Sequence, residues 1–308
     1  MSTTTFNVNI LGCSSATQSS RHSQSGQVVN FRDKLFMVDC GEGTQGRFRR
    51  QGLKFSRLGH IFISHLHGDH FFGLPGLLST MALHGIGGEV TVHAFEEGLR
   101  LLRDWMDFFN REPSFRINYA PVTPGACETV YEDAGLTVST FPLYHRVPCT
   151  GYLFREKPSC RPLRGDMLEF HNVPVSERRA IKEGADFVRP DGIVVPNSAL
   201  THPAPAPRSY AYCSDTMFDT RVAEAVEGVT TLYHESTYGD EYLAMARERG
   251  HSTARQAAEI ARAARAGKLV LGHYSKRYDA DGEARLLAEA REVFPDTILA
   301  DEGMVIKV

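Results

Sequence analysis

A chain of 308 residues with 42% hydrophobic and 23% charged side chains carries enough apolar material for a sizeable core, and no run approaches the ~18 apolar residues that a membrane helix needs. Its net charge of −3 argues against a protein that coats nucleic acid indiscriminately and leaves room only for local basic patches. Cys13, Cys40, Cys127, Cys149, Cys160 and Cys213 are scattered with no close pair, so the pattern suggests neither a Cys-x-x-Cys zinc site nor a disulfide framework, and reduced, mostly buried thiols are expected.

Met1 to Thr5 is polar and leads straight into a strand, so neither a signal nor a transit peptide is expected, and the location reads as cytoplasmic. Phe6 to Leu11, Gln27 to Phe31 and Leu35 to Asp39 are short apolar or alternating runs between Gly- and Ser-rich turns, which predicts strands. Arg32-Asp33-Lys34 joins the second to the third as a hairpin turn, and the third ends on the carboxylate of Asp39. Residues 47 to 57 then carry Arg47, Arg49, Arg50, Lys54 and Arg57 without an acidic residue, a run that reads equally as phosphate contact or as solvated surface.

A strand at Ile61 to Ser64 delivers the densest cluster of chemistry in the chain: His65, His67, Asp69 and His70 within six positions. Extended side chains alternate faces, so His65 and His67 point the same way, and a bend at Gly68 lets Asp69 and His70 face a second point. Two metal ions a few ångströms apart fit that layout. Imidazole and carboxylate donors suit zinc, with manganese or iron as competitors.

Further on, the spacing predicts a helix over Phe71 to Leu83, a strand at Glu89 to His93 and a helix at Glu96 to Asn110 whose Leu99, Leu102, Trp105, Met106 and Phe109 form a core stripe. Strands follow at Phe115 to Tyr119, Glu128 to Tyr131, Leu136 to Phe141 and Gly151 to Phe154, with His145 in the loop between the last two. Residues 155 to 208 hold eight of the 15 prolines and little periodicity beyond a short helix near Ser176 to Lys182, the texture of a functional extension. Strands at Tyr210 to Ser214 and Thr231 to His234 run into Asp215 and Glu235. Helices at Asp240 to Arg249 and Ala254 to Ala266, the second with Ser252 and Thr253 as candidate N-caps, precede a strand at Lys268 to Leu271 that ends in Gly272-His273. A helix from about Gly282 to Val293 and strands at Thr297 to Ala300 and Met304 to Val308 complete the chain.

His65-Leu-His67-Gly-Asp69-His70 resembles the signature of the metallo-β-lactamase superfamily. His234-Glu235-Ser236-Thr237 and His251-Ser252-Thr253 resemble the paired His-Glu-Ala-Thr and His-Ser-Thr motifs of its ribonuclease Z branch, with Ser236 in place of Ala, and Gly272 to Tyr278 matches that branch's strand-end segment. The resemblance covers nearly the whole chain. It implies an αββα sandwich of two mixed sheets with helices outside, a single domain over residues 1–308 with a substrate-binding arm inserted at approximately 155–195.

For chemistry it implies a zinc-dependent endoribonuclease that removes 3′ trailers from tRNA precursors by hydroxide attack 3′ of the discriminator nucleotide, leaving a tRNA 3′ hydroxyl. His65, His67 and His145 would hold one zinc and Asp69, His70 and His273 the other, with Asp215 bridging them; two zinc ions per subunit are expected, manganese or another divalent metal being possible. Asp69 would accept the water's proton, and His251, oriented by Glu235, would protonate the leaving oxygen. Ser275 and Arg277 would meet the substrate phosphate. Asp39 reads as a partner of a ligand imidazole, and His234 equally as such a partner or as a core histidine.

The same resemblance implies a homodimer whose arm grips tRNA cut by the other subunit, with no membrane partner. Two departures stand out: Thr17 to His22 replaces the branch's Pro-x-Lys-x-Arg-Asn loop, and Asn172-Val173-Pro174-Val175 stands where a Gly-Pro-rich knob is usual. The rival readings are another dinuclear hydrolase on the same fold, which would lack the His-Glu and His251 motifs, and an inactive RNA-binding scaffold, which would have no use for the complete ligand set.

Overall fold

The computed structural model describes residues 4–110 and 114–308. In chain order the first strands are β1 (Phe6–Gly12), β2 (Gly26–Phe31), β3 (Lys34–Cys40), β4 (Leu58–Phe62), β5 (Glu89–Ala94), β6 (Arg116–Pro121), β7 (Thr129–Glu132), β8 (Leu136–Tyr144) and β9 (Pro148–Glu156). They are followed by β10 (Phe187–Val188), β11 (Val194–Val195), β12 (Ser209–Cys213), β13 (Thr231–Glu235), β14 (Leu269–Gly272), β15 (Thr297–Leu299) and β16 (Val305–Lys307). Two compact units result, the larger from residues up to Tyr131 with Val138–Phe154 and Ser209–Val308, the smaller from Glu132–Thr137 and Arg155–Arg208.

In the larger unit one sheet has the order β16-β1-β2-β3-β4-β5-β6, and a second sheet has the order β15-β14-β13-β12-β9-β8-β7. The first is mixed: β16, β1, β2 and β3 pair antiparallel, and β3 to β6 pair parallel. Its β2–β3 hairpin closes through Arg32 and Asp33, both at positive φ, the geometry that matches the twist of a two-residue turn. Inner faces of the two sheets meet through aromatic residues: Phe36 and Phe62 of the first lie against Phe154 of the second, and Tyr210 and Tyr212 on β12 donate hydroxyl hydrogen bonds to Gln27 and Asp39 on the opposite sheet.

Helices cover the outer faces. Leu74, Leu77, Leu78 and Met81 of the helix Gly73–Leu83, with Leu99, Leu102 and Met106 of the helix Glu96–Phe109, bury against Met37, Ile61, Val90 and Val92. At ~25 cal/mol per Å² of apolar surface removed from water, this continuous layer is a major source of the sandwich's stability. The predicted stripe of the second helix ends one residue early: Phe109, the helix's last residue, is 73% exposed, while Met106 is still buried. The helix Thr44–Arg50 escaped the sequence reading, being short and opened by Gly43 at positive φ without a side-chain cap.

Sheet direction fixes where the functional side chains gather. β12, β13 and β14 pair parallel, Cys213 opposite His234 and Glu235 opposite Gly272, so Asp215, Glu235 and His273 emerge at one edge. β3 and β4 are parallel too, bringing Asp39 and the His65–His70 segment to the C-terminal edge of the first sheet. β4 ends at Phe62, earlier than expected, and the chain changes direction at Gly68, where the short helix Gly68–Phe71 begins and carries Asp69 and His70.

The smaller unit has its own core of Leu168, Val173, Ile181, Phe187, Val195 and Leu200. Its elements are short: the helices Gly165–Phe170, Arg178–Lys182 and Asn197–Leu200 and the β10–β11 ribbon, tied together by Asn197, whose side-chain amide donates to the carbonyls of Ile181 and Ala185.

Candidate active site

All of the metal-ligand candidates named from the sequence converge at the shared edge. His65, His67, His145 and Asp215 present ligand atoms within 4.8 Å of one another, and so do Asp69, His70 and His273. Asp215 stands between the two sets, with Oδ2 3.7 Å from His65 Nε2 and Oδ1 3.1 Å from His273 Nε2 and 3.4 Å from His70 Nε2.

Four of the five rings are oriented from behind. His70 donates through Nδ1 to Asp39 Oδ2 at 2.7 Å, and His145 donates through Nδ1 to the carbonyl of Gly250, also at 2.7 Å. Their Nε2 lone pairs therefore aim inward. Thr237 Oγ1 holds His273 Nδ1 at 2.9 Å, and Ser64 Oγ lies 3.0 Å from His65 Nδ1. Asp39 organises this shell: fully buried, it accepts from the Ser64 amide and hydroxyl, the Tyr212 hydroxyl and His70. Both Asp39 and His273 sit at positive φ, a strained backbone of the kind that functional sites retain.

These donors suit a divalent cation on the structure's own terms. Burial holds His65 well below the usual imidazole range and lowers His67 and His145, which favours neutral rings with a lone pair to offer a metal. His145 Nε2 is buried without a hydrogen-bond partner, and His70 Nε2 lies 3.3 Å from His273 Nε2. Burial presses His70 down, yet Asp69, Asp215 and Asp39 together raise it well above its ordinary value. A cavity that forces a proton onto a ligand imidazole is one that calls for positive charge.

Beside the cluster stands an acid–base pair. His251 Nδ1 lies 2.9 Å from Glu235 Oε1, and Glu235 also accepts from the Thr216 amide and from the Thr237 amide and hydroxyl, which satisfies a carboxylate with no exposed surface. Burial alone would lower His251; the Glu235 charge and hydrogen bond, with help from Asp215, push it up to about 9. Thr253 caps the helix Ala254–Ala263 in a reciprocal box with Gln256, and Ser252 donates to the Thr216 carbonyl, which pins the turn that carries His251. His234, on the opposite face of β13 from Glu235, is fully buried with Nδ1 2.7 Å from the Glu235 carbonyl, the core-histidine alternative.

The cluster opens into a cavity of about 260 Å³ whose lining includes His67, Asp69, His145, Asp215, His251 and His273. Ser275 and Arg277 line it as the sequence suggested, and so do Arg146, Arg249, Lys276 and Tyr238, which sequence reasoning missed. Arg146 and Arg249 lie next to His145 and Gly250, but only the fold brings those two loops to one rim. Of the basic run read equally as phosphate contact or solvated surface, Arg47 is neither: it is buried and donates to the Glu42 carbonyl and Thr44 hydroxyl, fastening the helix Thr44–Arg50. Arg57 pairs with Asp33.

The family model described as anti-Pycsar protein Apyc1 matches residues 6–92. The chain is 50% identical over 303 residues to the ribonuclease Z of Parabacteroides distasonis, covering 98% of this chain and 99% of that one, and 48% identical to the ribonuclease Z of Phocaeicola vulgatus, covering 98% and 97%. Among solved structures, human tRNase Z, short form, superposes with a TM-score of 0.72 at 26% identity over 98% of this chain and 99% of that one. The metallo-β-lactamase fold protein YhfI from Bacillus subtilis superposes with a TM-score of 0.69 at 17% identity over 99% and 100%, a likeness of fold.

Proposed function

The chain belongs to the ribonuclease Z family, and on that premise we propose that it is a metal-dependent endoribonuclease that removes 3′ trailers from tRNA precursors, cutting 3′ of the discriminator nucleotide and leaving a 3′ hydroxyl. The observation that carries the reading is the meeting of the His/Asp cluster, the Glu235–His251 pair and a basic cavity rim in one place. A dinuclear hydrolase for small esters needs the first of these. A nuclease with a poor alkoxide leaving group needs all three.

In this reading His65, His67 and His145 hold one zinc ion and Asp69, His70 and His273 a second, with Asp215 between them. Bound there, the pair supplies Lewis acidity toward a phosphoryl oxygen and a water acidified to near neutral pH. Manganese is the alternative occupant. Asp69, with Oδ2 2.6 Å from the Ala16 amide, is held facing the cavity and takes a proton from the attacking water. His251, charged by virtue of Glu235, protonates the departing 3′ oxygen, a step contributing roughly 10² to 10⁴ in rate. Arg146, Arg249, Lys276 and Arg277 compensate the phosphates on either side of the scissile bond.

The inserted arm, approximately 155–195, grips the tRNA away from the cut. Several of its basic residues are already paired, Lys157 with Glu132, Arg164 with Asp166 and Arg179 with Glu183, so its grip is shared with exposed apolar side chains such as Phe170 and Val175. The active form is a homodimer in the cytoplasm, and the exposed Leu101, Phe108 and Phe109 of the helix Glu96–Phe109 offer an apolar surface for a second copy. Among the described residues no helix is long and apolar enough to cross a membrane. Elemental analysis tests the metal assignment: the purified protein should carry two zinc ions per chain and Asp69→Ala fewer, with cleavage abolished. Full turnover by Asp69→Ala would remove the assignment.

A further inference from the structure

The loop Ser14–Gln24, which contains the divergent Thr17 to His22 segment, is anchored by a largely buried polar cluster of its own. Glu283, on the helix Ala280–Arg291, accepts from His22 Nε2 at 3.0 Å and from Arg21 Nη2 at 3.0 Å. Glu283 and His22 are both almost fully buried, and the His22 ring packs on Tyr274 at 5.5 Å between centroids. Backbone bonds then close the loop: Ser14 N–H to the Ser23 carbonyl, Ser19 N–H to the His22 carbonyl, and Ser15 N–H to the Tyr274 carbonyl, with the Ser15 hydroxyl on that same carbonyl. Glu302 accepts from the Ser23 amide.

At the far end of this scaffold is Ala16. It adopts φ +52°, a conformation costly for a residue with a Cβ, and its carbonyl accepts from Gln24 Nε2. What the strained geometry achieves is a single contact: the Ala16 N–H points at Asp69 Oδ2, 2.6 Å away. A backbone amide on that oxygen fixes which lone pairs of Asp69 remain for the cavity. Within the loop, the Thr17 N–H bonds the Ser15 carbonyl and the Ser14 hydroxyl the Thr17 carbonyl, which shapes the turn about Ala16. The Glu283 cluster fastens the loop's other limb to the sandwich through Arg21 and His22.

We propose that Glu283 is a positioning residue for the reaction: by holding His22 and Arg21 it fixes the loop, keeps Ala16 in its left-handed conformation and aims the Ala16 amide at Asp69. The proposal rests on the role given to Asp69 above. It is tested with Glu283→Ala in two measurements, turnover of a precursor tRNA and zinc titration of the metal-free protein against a chromogenic chelator. Both kcat and zinc affinity should fall by up to about 10-fold, the low end of the cost of losing a group that orients a ligand directly, since Glu283 acts through the loop, with KM unchanged. Glu283→Gln, which keeps an acceptor for His22, should recover most of both. Wild-type kcat and zinc affinity in Glu283→Ala, or a loss confined to KM, overturns the proposal. If Glu283→Ala does not fold, Arg21→Ala, at the exposed edge of the cluster, must show the same losses in smaller measure, and wild-type values there overturn it. Should the unaltered protein leave precursor tRNA intact, the functional reading is what fails, and the zinc titration still decides the role of Glu283.

Discussion

Four neighbours set the charge and the position of His251. Glu235 charges it, Ser252 and Thr253 fix its turn, and His145 packs beside its ring at 5.0 Å. Because the folded-state value is raised to about 9, the imidazolium persists through neutral pH, where an unperturbed His would be mostly neutral, and is lost as pH rises through about 9. A general acid in this state predicts a fall in kcat/KM on the alkaline side. In Glu235→Gln that fall should move to lower pH, and a pH–rate profile with an unmoved alkaline limb would contradict the pairing. His251→Ala should lose most for substrates with poor leaving groups, roughly 10² to 10⁴-fold, and little for an activated aryl phosphodiester; equal losses on the two would argue against proton donation. The ligand residues were legible in the sequence because His65, His67, Asp69 and His70 stand too close together for any core to need them. Arg146, Arg249 and the Ala16 amide were not legible: a lone Arg and a backbone N–H carry no sequence signal, and only the meeting of loops distant in the chain gives them a role.

Among the elements, the turn before the helix Ala254–Ala263 repays a closer look. Gly250 ends the helix Leu243–Arg249 at φ +73°, its carbonyl holds His145, and a Cβ there would come within 3.0 Å of His145 Nδ1. Gly250→Ala should therefore cost about 1 to 2 kcal/mol from the backbone alone and also lower turnover by displacing a ligand ring. Thermal unfolding and steady-state kinetics check the two effects, and a variant with normal kcat would show that His145 does not depend on this carbonyl. Strand and helix positions in the sandwich could be read from apolar runs, since β12, β13 and β14 are buried on both faces and read as continuous hydrophobic stretches. The elements that could not be read are the short ones. Thr44–Arg50 and Gly165–Phe170 are too brief for a period to emerge, and the first owes its existence to the buried Arg47, which the sequence presents as one charge in a basic run.

At the scale of the whole molecule, the sandwich gathers the site residues and the smaller unit has a separate core. Replacing residues 155–195 by a short linker should weaken binding of precursor tRNA while sparing hydrolysis of a small phosphodiester. Unchanged tRNA affinity, measured by filter binding at fixed salt, would return the arm to ordinary surface. The double-sheet architecture was legible only through the resemblance carried by the ligand motifs. Periodicity alone gave strands and helices in sequence, and their order in the two sheets follows from parallel pairings between segments far apart, which no local pattern records.

The central claim, a metal-dependent nuclease for the 3′ ends of tRNA precursors, is tested most directly by incubating the zinc-loaded protein with a 3′-extended precursor, beside a small chromogenic phosphodiester, and mapping the product ends on a gel. The geometry and family membership predict one cut, immediately 3′ of the discriminator, with a 3′ hydroxyl on the tRNA and a 5′ phosphate on the trailer. Hydrolysis of the small ester with the precursor left intact would contradict it, leaving a dinuclear phosphodiesterase whose substrate is not tRNA.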